Sequence, residues 1–147
     1  MPHLTRIMQR AKLDNLPYVV PDKMVYSRRA LEATEYAREH GKLHAFHRAV
    51  FDKLYGEGQD IGNWEVLSDV ARSVGLGAND MQRTVTSGAY SAALDAQMAK
   101  AQSLGLDGVP TYIINNRHVV VGAQPYEVFQ RLLDEMKSGD DGENSKG

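Results

Sequence analysis

The chain of 147 residues contains no cysteine. This absence excludes structural disulfides, thiolate metal sites, cysteine nucleophiles and thiol redox chemistry by the chain's own side chains. Positive charge is not in excess either. The 17 Lys and Arg residues are balanced by 19 Asp and Glu residues, which gives a formal net charge of −2. That balance argues against nucleic-acid binding through bulk charge.

Long apolar runs are also missing from the sequence. No run approaches the roughly 20 residues that a membrane-spanning helix needs. The N-terminus, Met1-Pro2-His3-Leu4, lacks the apolar core of a signal peptide. The sequence therefore predicts a cytoplasmic protein with no membrane partner. Its length suits one domain, and a hydrophobic content of 42% with seven tyrosines argues against a wholly disordered chain.

Helical periodicity dominates the chain as far as Gly105. It predicts helices at about 3–14, 28–40, 43–55, 80–86 and 89–104, and a further helix that follows Asn63. Ser27, Asn63 and Asn79 are suited to cap the helices that begin beside them. Leu31 is expected on a buried stripe with neighbouring alanines. Prolines bound the apolar residues Tyr18–Val20 and predict an extended segment there.

Beyond Gly105 the pattern changes to that of a β-hairpin and a last helix. The β-branched runs Thr111–Asn115 and His118–Val121 surround Asn116-Arg117, which is typical of a tight turn. Pro125 suits the first turn of the last helix. This helix is expected to bury the stripe Val128, Phe129, Leu132, Leu133 and Met136. The polar residues 138–147 predict a disordered tail.

The predicted hairpin is apolar on both faces, as strands inside a larger sheet are. A lone two-stranded hairpin is marginally stable in water and leaves its edges open. Tyr18–Val20 is the one other candidate strand, and it is short. The sequence therefore predicts a mainly helical α+β fold whose sheet is incomplete.

Several polar residues are candidates for chemistry, and a structural role is favoured for each. His40, His44 and His47 have the spacing of zinc ligands, but Gly41 is expected to interrupt the helix between the first two. No carboxylate stands in a recognisable ligand position near them. We therefore predict no metal site.

The remaining candidates are also interpreted structurally. Asp52, Glu57 and Asp60 are expected to be solvated, and Ser87-Gly88 is a helix boundary without the pattern of a nucleophile elbow. Arg28-Arg29 is interpreted as a solvated pair, with contact to an anion or a partner as the alternative. Trp64 and Phe51 are interpreted as core residues, with ligand stacking as the alternative. Tyr112 either lines a groove or packs on a helix, and the sequence leaves both open.

Two segments of the hairpin region carry a family resemblance. Gly108–Asn115, with the sequence Gly-Val-Pro-Thr-Tyr-Ile-Ile-Asn, and Val121–Phe129 resemble the DsbA-like branch of the thioredoxin superfamily, especially its FrnE-like cytoplasmic members. Upstream stretches resemble the helical insertion of that branch. They are Ala30–Ala33, Glu35–Lys42, Phe46–Phe51, Glu57–Ile61 and Ser87–Tyr90.

The resemblance implies a partial thioredoxin-like domain over residues 1–137, with the helical insertion at about 27–105 and the hairpin and last helix at about 108–137. In this family the proline of a Gly-Val-Pro-Thr segment is cis. The residue before it turns its backbone N–H and C=O toward the active site, where they can pair with an extended peptide or with glutathione. By resemblance, Val109, Pro110 and Thr111 form a substrate-binding loop.

The sequence departs from the family before that loop. Family members begin with a strand and with a helix that opens on Cys-x-x-Cys, or on a Ser in the chromene-carboxylate isomerase branch, followed by another central strand. These parts have no counterpart in the present sequence, so we expect a truncated domain. The family's thiol–disulfide oxidoreductase activity is therefore not expected here, and we assign no catalytic residue.

Three functions remain open from the sequence. The first is a redox-inactive DsbA-like domain. The second is a binding module whose open sheet edge accepts a strand, either from another copy in a strand-exchanged homodimer or from a second polypeptide. The third is a glutathione-dependent isomerase or transferase, in which the thiol of glutathione would replace a protein cysteine.

Overall fold

The computed structural model describes residues 2–20, 25–106 and 108–143. The chain divides into two compact units, residues 1–97 and 98–147. The first, which we call the helical unit, contains α1 (Pro2–Leu13), α2 (Arg28–Glu39), α3 (Leu43–Phe51), a π-helical turn (Asp52–Gly56), α4 (Trp64–Ser73), α5 (Ala78–Thr86) and the start of α6 (Ser91–Ser103). The second, the hairpin unit, holds the end of α6, β1 (Thr111–Ile114), β2 (His118–Val121) and α7 (Tyr126–Glu143).

The core of the helical unit is formed where α2 packs against α3 and α5, and α4 against α3 and α5. Its largest fully buried side chains are Phe46, Leu67, Val70 and Met81. With other buried residues of α3, α4 and α5, such as Val50, Ala71 and Val85, they follow helical spacing, so each of these helices presents one apolar stripe to its neighbours. The predicted mainly helical fold with a C-terminal hairpin and a final helix is confirmed.

The helix caps agree with the sequence at one position and differ at two. The Asn63 side chain accepts a hydrogen bond from the Glu65 N–H at 2.9 Å and caps α4, as predicted. Ser27 stands at the N-cap of α2 but makes no capping bond, because its own backbone is helical. The predicted capping by Asn79 is wrong, since α5 begins at Ala78 after an N-cap at Gly77.

Burial along the helices corrects two expectations. Leu31 is 45% exposed, whereas Glu32 and Tyr36 of the same helix are buried. Trp64 packs half-buried against the core, in line with its interpretation as a core residue. Phe51 is 48% exposed and does not belong to the core. Phe51 follows the buried Phe46 by five residues, which is about 140° around an α-helix, so it lies off the stripe that Phe46 and Val50 present to the core.

The segment Pro17–Val20, predicted to be extended, belongs to no helix and forms no strand with any residue that the structure describes. The Val19 N–H donates to the Tyr55 carbonyl oxygen at 2.6 Å, so this segment runs beside the π-helical turn. Pro21, which was expected to bound the segment, lies outside the described residues.

The hairpin is antiparallel, with Thr111 opposite Val121 and Ile114 opposite His118. The Arg117 N–H donates to the Ile114 carbonyl at 3.1 Å. Asn115 and Asn116 have φ values of 51° and 53°, the left-handed backbone that asparagine tolerates well in turns. The turn therefore lies one residue earlier than the sequence indicates, and Asn115 belongs to it and not to β1.

No described side chain of the hairpin unit is buried. Phe129, Leu132 and Met136 of α7 are half-buried, while Val128 and Leu133 are 36% and 46% exposed, so the expected buried stripe is only partly covered. α7 extends to Glu143 and includes residues for which the sequence predicts disorder. Residues 144–147 of that predicted tail lie outside the described residues.

Within the part of the chain that the structure describes, no helix combines the length and the apolar character needed to cross a membrane.

Candidate functional site

The predicted substrate-binding loop leads directly into β1. The peptide bond between Val109 and Pro110 is cis, and Val109 is 93% exposed. Thr111 is the first residue of β1. The loop is thus an accessible surface at the start of a strand, and the peptide-binding role that the resemblance gives it stays a prediction.

Short contacts hold this loop against the end of the hairpin. The Thr111 hydroxyl donates to the Gly108 carbonyl at 2.6 Å. The Gly122 N–H donates to the Pro110 carbonyl at 2.7 Å. A Cβ atom placed on Gly108 would lie 2.8 Å from a methyl carbon of Val121, so only glycine fits there without a shift. The backbone around Val109 is therefore positioned by its neighbours on both sides.

The bond between Gly122 and Pro110 also determines which backbone groups point outward. Antiparallel strands alternate between hydrogen-bonded and non-hydrogen-bonded pairs. Because Pro110 and Gly122 form a bonded pair, the pairs Tyr112–Val120 and Ile114–His118 are bonded as well. Thr111 and Ile113 consequently direct their N–H and C=O groups away from β2. Within the described residues these outward groups have no hydrogen-bond partner, and we call this row the β1 edge.

The opposite edge of the hairpin differs. Val119 and Val121 direct their backbone groups away from β1 by the same alternation. The side-chain amide of Gln124 donates to the Val121 carbonyl at 2.9 Å and occupies that edge. The β1 edge is therefore the more open of the two. Sequence reasoning missed Gln124, because the signal for a side chain that caps a strand lies in the turn geometry.

The two faces of the hairpin are unequal. Tyr112 packs edge-to-face against Phe129 of α7, with ring centroids 4.9 Å apart. The structure thereby decides that Tyr112 packs on a helix. On the other face, Ile113, Val119 and Val121 are 47%, 55% and 40% exposed. The β1 edge is thus bordered by apolar side chains that are open to a partner.

The histidines considered as metal ligands are divided between two places. His40 lies at the end of α2, where its Nδ1 is 2.8 Å from the Tyr36 carbonyl and its ring stacks on the Tyr36 ring. His44 and His47 are on α3 and line a cavity of the helical unit. Among the described residues, no group of three or more His, Asp or Glu side chains is arranged to hold a metal ion.

Local partners account for the other candidates of the helical unit. Asp52 pairs with Arg48, and Glu57 pairs with Lys53. Asp60 accepts a bond from the Gly62 N–H within a turn. These are ordinary surface and loop interactions.

The arginine pair and Ser87 also have partners. Arg28 pairs with Glu32 and Asp95, while Arg29 donates to the Gly62 carbonyl and lies over the Trp64 ring. Ser87 donates to the Thr84 carbonyl at 2.7 Å. The pKa of Asp95 is lowered by its hydrogen bond from Arg28. The arginines thus stabilise the helical unit, which differs from the expectation of a solvated pair.

Further changes of pKa occur where α2 meets α5 and Tyr90, the residue before α6. Burial raises the pKa of Tyr90, and its bond to Glu39 adds to the effect. Burial and a bond to Asp80 raise the pKa of Tyr36 in the same way. The Tyr36 hydroxyl in turn lowers the pKa of Asp80. Each of these groups is fixed by a neighbour across a helix interface, which indicates a structural role.

Comparison with known proteins gives a consistent result. The profile of the family described as "DSBA-like thioredoxin domain" matches residues 3–134. The "Uncharacterized protein YwbO" of Bacillus subtilis is 30% identical over 125 residues, which are 84% of this chain and 61% of that protein. A crystal structure of the "probable DsbA oxidoreductase SCO1869" of Streptomyces coelicolor superposes with a TM-score of 0.73 at 25% identity, and covers 86% of this chain and 56% of that one.

These matches confirm the DsbA-like resemblance and the thioredoxin-like fold class predicted from the sequence. The chain spans 61% and 56% of the lengths of the two proteins it matches. The residues 3–134 that the family matches include most of the helical unit, the hairpin and the first half of α7.

Proposed function

The chain belongs to the family of DSBA-like thioredoxin domains, and we propose that it acts there as a binding module for an extended polypeptide segment. The segment would lie along the β1 edge, beside Val109 and Pro110. The FrnE-like subgroup and the cytoplasmic location predicted from the sequence are part of the same proposal.

The absence of cysteine is the reason for proposing binding instead of redox chemistry. Thiol–disulfide exchange begins with attack by a thiolate, and the sequence supplies none. Any thiol step at this site would need a cysteine of another polypeptide or the thiol of glutathione. The side chains near the loop offer contacts and hydrogen bonds but no nucleophile of this kind.

The open β1 edge is the observation that carries the proposal. Addition of a strand to a free edge satisfies its outward N–H and C=O groups, and side-chain pockets then provide specificity. Thr111 and Ile113 offer those groups, and the exposed face of the hairpin offers apolar contact. Because Gln124 occupies part of the opposite edge, the added strand is expected to pair with β1.

None of the described side chains of the hairpin unit is buried, and this supports the same proposal. Such a unit gains more apolar burial from a partner strand than a fully packed domain would. The strand would come from a second copy, which gives a homodimer, or from a second polypeptide.

A peptide titration tests this proposal. We would use a synthetic heptapeptide of alternating valine and threonine with a lysine at each end, and follow backbone amide shifts and hydrogen exchange by NMR. We expect saturable shifts from Val109 to Ile114 and slower exchange at Thr111 and Ile113. Shifts confined to the helical unit, or no saturable shift, would overturn the proposal.

A matched pair of proline variants identifies the edge. Ile113→Pro and Val119→Pro each remove one outward N–H and leave the bonds between β1 and β2 in place. We expect Ile113→Pro to weaken peptide binding by about tenfold or more, and Val119→Pro to change it by less than about twofold. Equal effects of the two variants would contradict pairing at β1.

Light scattering over a dilution series identifies the source of the strand. A dimer that Ile113→Pro dissociates and Val119→Pro does not would indicate a second copy. A monomer that binds the peptide would indicate a second polypeptide. A parallel titration with reduced glutathione tests the remaining alternative, in which shifts at Val109 would occur with glutathione and not with the peptide.

A further inference from the structure

The helical unit contains a cavity that the proposed strand binding does not involve. Its volume is about 860 Å³. It lies between α1, the segment Pro17–Val20, and α3 with the π-helical turn. Ile7 and Ala11 of α1 and Tyr18 of that segment line one side. The other side is lined by His47, Phe51 and Tyr55.

Four rings form a continuous wall of this cavity. The His47 and Phe51 rings meet edge-to-face with centroids 4.8 Å apart, and the centroids of the Phe51 and Tyr55 rings are 5.6 Å apart. Tyr18 stacks on Tyr55 with centroids 5.6 Å apart and planes 9° from parallel. Stacked and edge-to-face arrangements are the ones that aromatic rings prefer. A flat ring that enters the cavity can extend this wall by the same contacts.

The backbone around the π-helical turn builds this wall. In a π-helix the hydrogen bonds skip one residue further than in an α-helix, and such turns occur frequently at functional sites. Here the Tyr55 carbonyl accepts the Val19 N–H at 2.6 Å, which fixes Tyr18 beside Tyr55. Gly58 permits the approach, since a Cβ there would lie 2.9 Å from a methyl carbon of Val19. The wall is therefore formed before any ligand arrives.

The charges around the cavity cancel in pairs. Arg10 and Asp14 pair at 2.7 Å on the side of α1, and Arg48 and Asp52 pair at 3.4 Å on the side of α3. Each arginine thus has a carboxylate four residues away on its own segment. An ionic ligand would have to compete with one of these pairs, whereas a neutral ligand would not. His44, His47 and two tyrosines line the same space, and side chains of these types can hydrogen-bond to a neutral polar group.

We propose that this cavity binds a neutral, planar aromatic molecule that carries a hydrogen-bonding group. The volume lies within the range of about 300–1,000 Å³ that small-molecule sites occupy. The ligand lies flat against the ring of Phe51, from which the Tyr55 ring is tilted by 47°, with α1 on its other side. The site is separate in sequence from the β1 edge, so ligand binding in the cavity does not depend on the proposed strand binding.

The test uses 2-naphthol as the probe and NMR titration of the full chain as the measurement. We expect saturable shifts in residues 7–18 and 44–56, with little change in residues 108–121. The anionic analogue 2-naphthoate and the non-planar alcohol cyclohexanol are expected to bind at least about tenfold more weakly. Equal or tighter binding of either compound would overturn the assignment of ligand class, and the absence of saturable shifts at these residues would overturn the site.

Two exposed apolar residues provide matched variants. Phe51 is 48% exposed and lines the cavity, while Leu31 is 45% exposed and lies elsewhere on the same unit. Phe51→Ala is expected to weaken 2-naphthol binding by about tenfold, and Leu31→Ala by less than about twofold. Similar effects of both would contradict the proposal. Should Phe51→Ala lose helicity, Tyr18→Leu removes a ring of the same wall and carries the same expectation.

Discussion

At the scale of single residues, two tyrosines fasten α2 to its neighbours. The Tyr36 hydroxyl donates to Asp80 of α5 at 2.8 Å, and the Tyr90 hydroxyl donates to Glu39 of α2 at 2.6 Å. The two rings meet edge-to-face, with centroids 6.4 Å apart. Both tyrosines are almost fully buried. A buried hydroxyl that donates to a carboxylate is stabilised as the neutral phenol, because ionisation would bring two negative charges together.

This arrangement predicts a loss of stability in alkali. The pKa values of Tyr36 and Tyr90 are raised in the folded state, by burial first and by the carboxylate second. The contribution is therefore complete below the unfolded value of about 10 and declines as the pH rises above it. We expect urea titrations to show that the difference in unfolding free energy between the unaltered chain and Tyr90→Phe narrows from about pH 9 to about pH 11. This range brackets the pKa of tyrosine in the unfolded chain. A constant difference would contradict this account.

Gly58 is a second residue whose identity the structure explains. Its φ is +68°, and an added Cβ would lie 2.9 Å from Val19, whereas Gly75 has a φ of +78° with open space around it. Gly75→Ala is expected to lower the unfolding free energy by about 1 kcal/mol through backbone strain alone. Gly58→Ala is expected to cost at least about 1 kcal/mol more, because of the clash. Equal losses of unfolding free energy for the two variants in urea titrations would show that the segment around Val19 moves away from the added Cβ without a measurable loss of stability.

At the scale of elements, the backbone conformation at the start of a helix decides whether the N-cap side chain makes a capping bond. α4 begins with a side-chain cap from Asn63, and α2 begins at Ser27 without one. Both residues are of types that favour the N-cap, yet only the extended backbone of Asn63 places its side-chain oxygen over the first turn. The sequence alone does not distinguish the two positions.

The caps give a prediction with an internal control. Asn63→Ala removes a capping bond of 2.9 Å and is expected to lower the unfolding free energy by about 1 kcal/mol. Ser27→Ala removes no capping bond and is expected to change it by less than about 0.5 kcal/mol. Thermal and urea unfolding of both variants measure the difference. A larger loss for Ser27→Ala than for Asn63→Ala would refute this assignment of caps.

At the scale of the whole molecule, burial is distributed unevenly. The helical unit contains the buried core, which includes Phe46, Leu67 and Met81, while no described side chain of the hairpin unit is buried. Local stability follows the density of buried apolar contacts. The two units are therefore expected to open with different free energies.

Amide hydrogen exchange measures this difference directly. In the isolated chain, amides of α4 and α5 are expected to exchange at least about 100-fold more slowly than those of β1 and β2. A bound strand at the β1 edge is expected to narrow that gap by protecting Thr111 and Ile113. Equal protection of both units without a partner would show that the hairpin is stabilised by contacts other than those described.

The helices and the hairpin follow from the sequence, because helical periodicity and a run of β-branched residues are local signals, and the family follows from the resemblance of its motifs. The sequence also led to Val109, Pro110 and Thr111, whose motif is contiguous. That the chain supplies no thiol of its own follows from composition alone.

Which surfaces are open depends on tertiary contacts that the sequence does not specify. Phe51 was expected in the core, yet it lies in a cavity wall beside Tyr55. Tyr112 could face either way until its contact with Phe129 was known. The Gln124 side chain occupies one acceptor on the β2 edge, the Val121 carbonyl, through a turn that no pattern of residue types specifies. Burial and edge access depend on contacts between residues distant in sequence, and periodicity does not encode which partners cover each face.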